Sequence, residues 1–161
     1  DDQREMIHRV YNRLKDYSGI SPKGWLGPAL AETHDTVDWL HEAGFEYVAD
    51  WVLDDQPIQI STTEGPVLSV PYTVETNDIT MMALQQHPSS EMFNRSKDQF
   101  DRLYIESEKS TRIMSVSLHM YLTGAPHRIK YLEEFIEYIQ SHDECVIMTG
   151  EEILDWYNTT L

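Results

Sequence analysis

Short apolar runs alternate with longer stretches of helical period along nearly the whole chain, and that alternation leaves few folds open. Runs of about five residues suit strands, and apolar residues recurring at helical spacing suit helices. Met6, Ile7, Val10, Leu14 and Tyr17 predict a helix over 1–17, ended by Ser18-Gly19. A short buried strand and turn is expected at 24–28. A helix capped at Thr33 or Asp35 then runs to Ala43 and closes at Gly44. The runs 45–49, 58–60 and 67–72 read as strands, 79–86 as a helix, and 89–104 as a longer helix burying Met92, Phe93, Phe100, Leu103 and Tyr104. A strand over 113–118, a helix over 129–142, a strand over 145–148 and a helix over 151–157 complete the series. Strands that alternate with helices make β/α units and a largely parallel sheet. A closed eightfold barrel takes about 250 residues, so 161 residues read as one α/β domain forming an incomplete (β/α) barrel, roughly its second half.

Charge narrows the partners. Against 28 acidic residues stand 12 basic ones, for a net charge of −16. Such a surface argues against nucleic acid or an anionic membrane. It does not by itself indicate a cationic substrate, because much of the acid falls on expected helix surfaces. No run of 18 apolar residues is present, so no spanning helix is expected. The chain starts Asp1-Asp2-Gln3-Arg4, with neither a signal-like stretch nor an initiator methionine, as a fragment or processed product would. Cys145 is the single cysteine, which removes an internal disulfide and a cysteine-based zinc site. A cytoplasmic location is the expectation.

The chemistry is expected where strands end, because loops there open onto a shared crevice. His119 follows the expected strand 113–118 and precedes a turn at Gly124-Ala125-Pro126. A histidine there can serve acid–base chemistry, although a strand-end histidine is also readily satisfied by a backbone carbonyl. Asp50, Asp54 and Asp55 are the best carboxylate group, and they too read equally as solvated loop acids. None of the seven histidines lies three to five residues from another, so a metal-chelating helical pair is absent. His34 and His41 stand two turns apart, about 10 Å along a helix axis. Neither a phosphate-cradling loop nor a nucleophile elbow occurs.

Gly24-Trp25-Leu26-Gly27-Pro28, Tyr47-Val48-Ala49-Asp50-Trp51, Leu118-His119, the turn Gly124–Arg128 and the ending Thr149-Gly150-Glu151-Glu152-Ile153 together resemble the polysaccharide deacetylase (NodB-homology) family. The closer likeness is to its cytoplasmic branch of allantoinase-like and peptidoglycan-deacetylase-like proteins. The resemblance covers nearly all of the chain. It implies a distorted (β/α) barrel and a divalent metal, usually zinc, that polarises an amide for attack by bound water. It also implies that His119 protonates the leaving amine, that Asp50 orients His119, and that Trp25, Trp51 and Leu118 bind substrate.

The chain also departs from that pattern. The family's metal-holding Thr-Phe-Asp-Asp and His-x-x-x-His motifs have no counterpart within these residues, and Leu26 stands where many members carry arginine. No metal is therefore expected on this chain alone. The expected function is the C-terminal part of a metal-dependent hydrolase of non-peptide C–N (amide) bonds, acting on a small amide or N-acetyl sugar. The N-terminal half of the same protein, or further copies of the chain, would complete it. The alternative is a non-catalytic deacetylase-like domain that serves binding or assembly.

Overall fold

In the computed structural model, which describes residues 2–160, the strands Gly24–Trp25 (β1), Tyr47–Val48 (β2), Ile58–Thr62 (β3) and Gly65–Ser69 (β4) form one sheet. Their order is β1–β2–β4–β3. β1 pairs with β2 and β2 with β4, both parallel. β3 and β4 form an antiparallel hairpin in register from Ile58↔Ser69 to Thr62↔Gly65. The sheet is mixed, mostly parallel and not closed. Among the described residues five α-helices accompany it: Asp2–Ser18 (α1), Thr36–Ala43 (α2), Glu91–Ser107 (α3), Ile129–Gln140 (α4) and Gly150–Thr160 (α5).

The chain falls into two compact units, one running to Pro71 and rejoined at Met148, the other Tyr72–Ile147. The first unit holds the sheet. Ile7 of α1, Val37 and Leu40 of α2, Phe45, Val48 and Val67 are buried together. Tyr11 and Trp25 meet the Phe45 ring edge-on, with centroids at 5.2 and 5.4 Å. Gly44 ends α2 at φ +111°, a conformation glycine adopts without a Cβ penalty. A second cluster of Leu68, Val70 and Leu154 packs with Tyr47, Ile153 and Tyr157 and fastens α5 to the sheet. Lys23 also binds Glu151 and Asp155 at 3.0 and 3.1 Å. Hydrogen bonds donated first to Glu151 and then to Asp155 push its pKa up to about 12.

In the second unit α3 packs on α4. Phe100 meets Phe135 and Tyr138 edge-on, at 6.5 and 5.9 Å. The Tyr138 hydroxyl donates to Asp101 Oδ1 at 2.6 Å. Met81, Met92 and Leu103 are buried, as the helical spacing requires for the two on α3.

Three expectations need correction. The run 113–118 is not a strand; its one pairing is a parallel bridge of Ser117 with Asn77. The run 145–148 has no strand pairing either, and Val146 and Ile147 are exposed. Apolar, β-branched residues fit a pleated surface, but a strand exists only where a neighbour supplies the ladder. The helix expected over 79–86 is a wide π turn, Ile79–Leu84.

Candidate functional site

Ser117 is where the second unit's chemistry is fixed. Its amide donates to the Thr76 carbonyl at 3.0 Å, and the Asp78 amide donates to the Ser117 carbonyl at 3.2 Å. This one parallel bridge sets two chain segments side by side, with Asp78 opposite His119. His119 Nδ1 lies 2.6 Å from Asp78 Oδ1. The His119 amide donates to Asp78 Oδ2 at 2.7 Å, and the Thr123 hydroxyl donates to the same oxygen at 2.7 Å.

Asp78 is fully buried. Burial alone would raise its pKa, but the His119 amide, the Thr123 hydroxyl and the His119 ring together hold it below the usual aspartate value. An ionised carboxylate only accepts hydrogen bonds, so His119 Nδ1 carries a proton toward it. That leaves Nε2 as the nitrogen able to take or give a proton. The His119 side chain is partly exposed, and Tyr121 stands edge-on to it at 5.8 Å. A buried carboxylate behind a partly exposed imidazole is an arrangement suited to general acid–base work.

The first unit carries the other residues singled out in the sequence. Asp50 is buried, with 5% of its surface exposed. Its Oδ1 accepts the Gly27 amide at 2.5 Å. A Cβ at position 27 would stand 2.9 Å from Asp50 Oδ2 and 3.3 Å from Trp25 Nε1, so only glycine leaves room for this approach. The Trp51 indole donates to Glu32 Oε2 at 2.6 Å. Trp25 is half-buried against Phe45, whereas Leu118, in the second unit, is 46% exposed. The acid facing His119 Nδ1 is thus Asp78, and the partner of Asp50 is the Gly27 amide.

These residues do not fit a metal ion. Among the described residues no three His, Cys, Asp or Glu side chains converge on one point. The two best candidates are already engaged, His119 Nδ1 with Asp78 and Asp50 Oδ1 with Gly27, and a catalytic zinc takes three protein ligands.

A crystal structure of a probable polysaccharide deacetylase from Pseudomonas aeruginosa PAO1 superposes with a TM-score of 0.87 at 34% identity, over 97% of this chain and 53% of that one. By sequence and by fold, this chain is similar to polysaccharide deacetylases. The crystal structure of Puue allantoinase superposes equally well, with a TM-score of 0.89 and 31% identity over 98% of this chain and 53% of that one. A putative polysaccharide deacetylase of Schizosaccharomyces pombe is 36% identical over 89 residues, 54% of this chain and 28% of that protein. No family model matches the chain. The deacetylase-like chain spans about half the length of the solved structures it matches.

Asp78 and Glu32 were not singled out by sequence. Asp78 ends Thr76-Asn77-Asp78, a polar stretch with the same character as Asp50 or Asp54-Asp55. The signal available was its place after an expected strand, which several acids share. Glu32 lies in Ala31-Glu32-Thr33, before a helix, where acids commonly serve as first-turn charges.

Proposed function

We propose that this chain supplies the proton-transfer histidine of a deacetylase-like hydrolase acting on non-peptide C–N (amide) bonds. The observation that carries this reading is the His119–Asp78 pair at 2.6 Å, in a chain similar to deacetylases and an allantoinase over almost all of its own length. Hydrolysis of an amide forms a bond from water oxygen to the carbonyl carbon and then breaks the C–N bond. The departing nitrogen must gain a proton, because an amide anion is a poor leaving group. His119 delivers it from Nε2, while Asp78 keeps Nδ1–H in place and stabilises the imidazolium. In the second unit Leu118, next to His119, offers apolar surface to a small amide or N-acetyl sugar; in the first unit Asp50 fixes the Gly27 backbone, and Trp25 and Trp51 offer apolar surface of their own.

The domain assignment belongs to the same proposal. Residues 1–161 form the C-terminal part of one polysaccharide-deacetylase-like domain with a distorted (β/α) barrel. Zinc, or another divalent metal, would be held by residues supplied from outside this chain. An N-terminal half of the same protein, or further copies of the chain, complete the assembly in the cytoplasm. No described helix is long and apolar enough to cross a membrane.

The test is turnover of an N-acetyl sugar oligomer and of a cyclic ureide by the complete protein. His119→Ala is expected to lower kcat by about 10²- to 10⁴-fold with little change in KM. Turnover unchanged by that substitution would overturn the assignment. A second reading, a non-catalytic domain for binding or assembly, draws on the lack of three converging His, Cys, Asp or Glu side chains among the described residues and on Leu26, 53% exposed where many members carry arginine. Binding of the sugar oligomer without hydrolysis would favour it.

A further inference from the structure

Five buried side-chain polar atoms among the described residues have no conventional hydrogen-bond partner, and three of them are Trp25 Nε1, Glu32 Oε1 and Asp50 Oδ2. A buried polar atom left unmade costs about 1–3 kcal/mol, so a concentration of them in one place calls for a cause. Two of the three belong to the carboxyl groups of Glu32 and Asp50, which lie near enough for Asp50 to raise the Glu32 pKa, so each would have to serve the other as a hydrogen-bond partner. Two carboxylates cannot do so, since neither has a donor.

The remaining oxygens are accounted for. Glu32 Oε2 accepts the Trp51 indole at 2.6 Å, and Asp50 Oδ1 accepts the Gly27 amide at 2.5 Å. We propose that Glu32 and Asp50 share one proton, held between Glu32 Oε1 and Asp50 Oδ2, so that the pair carries a single negative charge. The proton turns two orphaned acceptors into one donor–acceptor bond. It also joins the segment Trp25–Glu32 to Asp50–Trp51 through a continuous chain: Gly27 amide, Asp50, proton, Glu32, Trp51 indole.

Two further observations agree. Burial, then the Asp50 carboxyl's hydrogen bond and charge, raise the Glu32 pKa above its ordinary value, against the lowering effect of the Trp51 indole. Asp50 is the one ionisable group acting on Glu32 among the described residues. Between Gly27 and Glu32 the chain also holds Ala29 and Leu30 at φ +55° and +56°. The left-handed region is disfavoured for such residues, and it persists where surrounding bonds over-determine the backbone. Glu32 is then a positioning residue for Asp50 and Trp51, whatever reaction the protein carries out, and the inference does not depend on the proposed function.

Infrared difference spectra of the full chain against Glu32→Gln and against Asp50→Asn test it. Either amide supplies a permanent N–H donor in place of the proton and leaves the other acid ionised, so both variants should keep the fold. At neutral pH the wild type is expected to show a protonated-carboxyl carbonyl band that both variants lose. Raising the pH should remove that band together with a change in tryptophan fluorescence, and neither change should occur in E32Q. The absence of the band from the wild type would overturn the proposal. So would its survival in either variant, which would assign the proton to one acid alone or to another group. The exposed substitution Glu42→Gln should leave the band in place.

Discussion

At the scale of single residues, the most informative group is Asp78. It accepts from the His119 amide, the Thr123 hydroxyl and the His119 ring with no exposed surface. Replacing it by asparagine turns one acceptor oxygen into a donor that faces other donors, a loss of about 1–3 kcal/mol. The pH dependence has a definite sign. The Asp78 pKa is lowered from 3.8 on folding, so its contribution is present above that value and is lost as pH falls through the lower folded value. Urea midpoints of wild type and D78N should therefore differ near neutrality and converge in acid. A gap that stays constant into acid would show that ionised Asp78 is not the source. Glu32 has the opposite sign. Its folded pKa is raised, so stability falls as pH climbs from the ordinary value of 4.5 toward the folded one, and E32Q should remove that slope.

At the scale of elements, short strands rely on what packs over them. β1 and β2 are two residues each, too little ladder to hold themselves. What fixes them is the buried cluster around Phe45 and Val48 and the close of α2 at Gly44. Gly44→Ala would force a Cβ into a left-handed residue and to within 2.8 Å of the Tyr11 hydroxyl. A loss of about 1 kcal/mol or more is expected by urea unfolding. In the second unit, Phe100 joins α3 to α4 through Phe135, Tyr138 and His142. Phe100→Ala should cost about 3–5 kcal/mol with the denaturant slope unchanged; a loss below 1 kcal/mol would mean that the helix pair rests on other contacts. Helix spacing was legible for α1, α3 and α4 because each has one apolar face. The runs 113–118 and 145–148 were misread because strand character in sequence does not reveal whether a neighbour is present.

At the scale of the whole molecule, charge and exposed apolar surface oppose each other. The net charge of −16 favours solubility, yet Met120, Tyr121, Val146 and Ile147 are each more than two-thirds exposed. Apolar exposure of that kind marks surfaces that associate. Light scattering across a dilution series is expected to show mass above the monomer's at micromolar concentration, more so as salt screens the like charges. A monomer throughout would remove the expectation of self-association. The sequence alone determined the α/β class, the mostly parallel sheet, the five α-helices and the deacetylase likeness, because hydrophobic period and turn residues are local properties. It also marked His119, whose position after a strand-like run and before a turn is local too. Tertiary structure alone decided that Asp78 faces His119 across 41 positions of chain, that Asp50 is held by Gly27, and that Glu32 meets Asp50. Several acids occupy loops of the same character, and only the bridge between Asn77 and Ser117 and the turn after Gly27 determine which of them meets a partner.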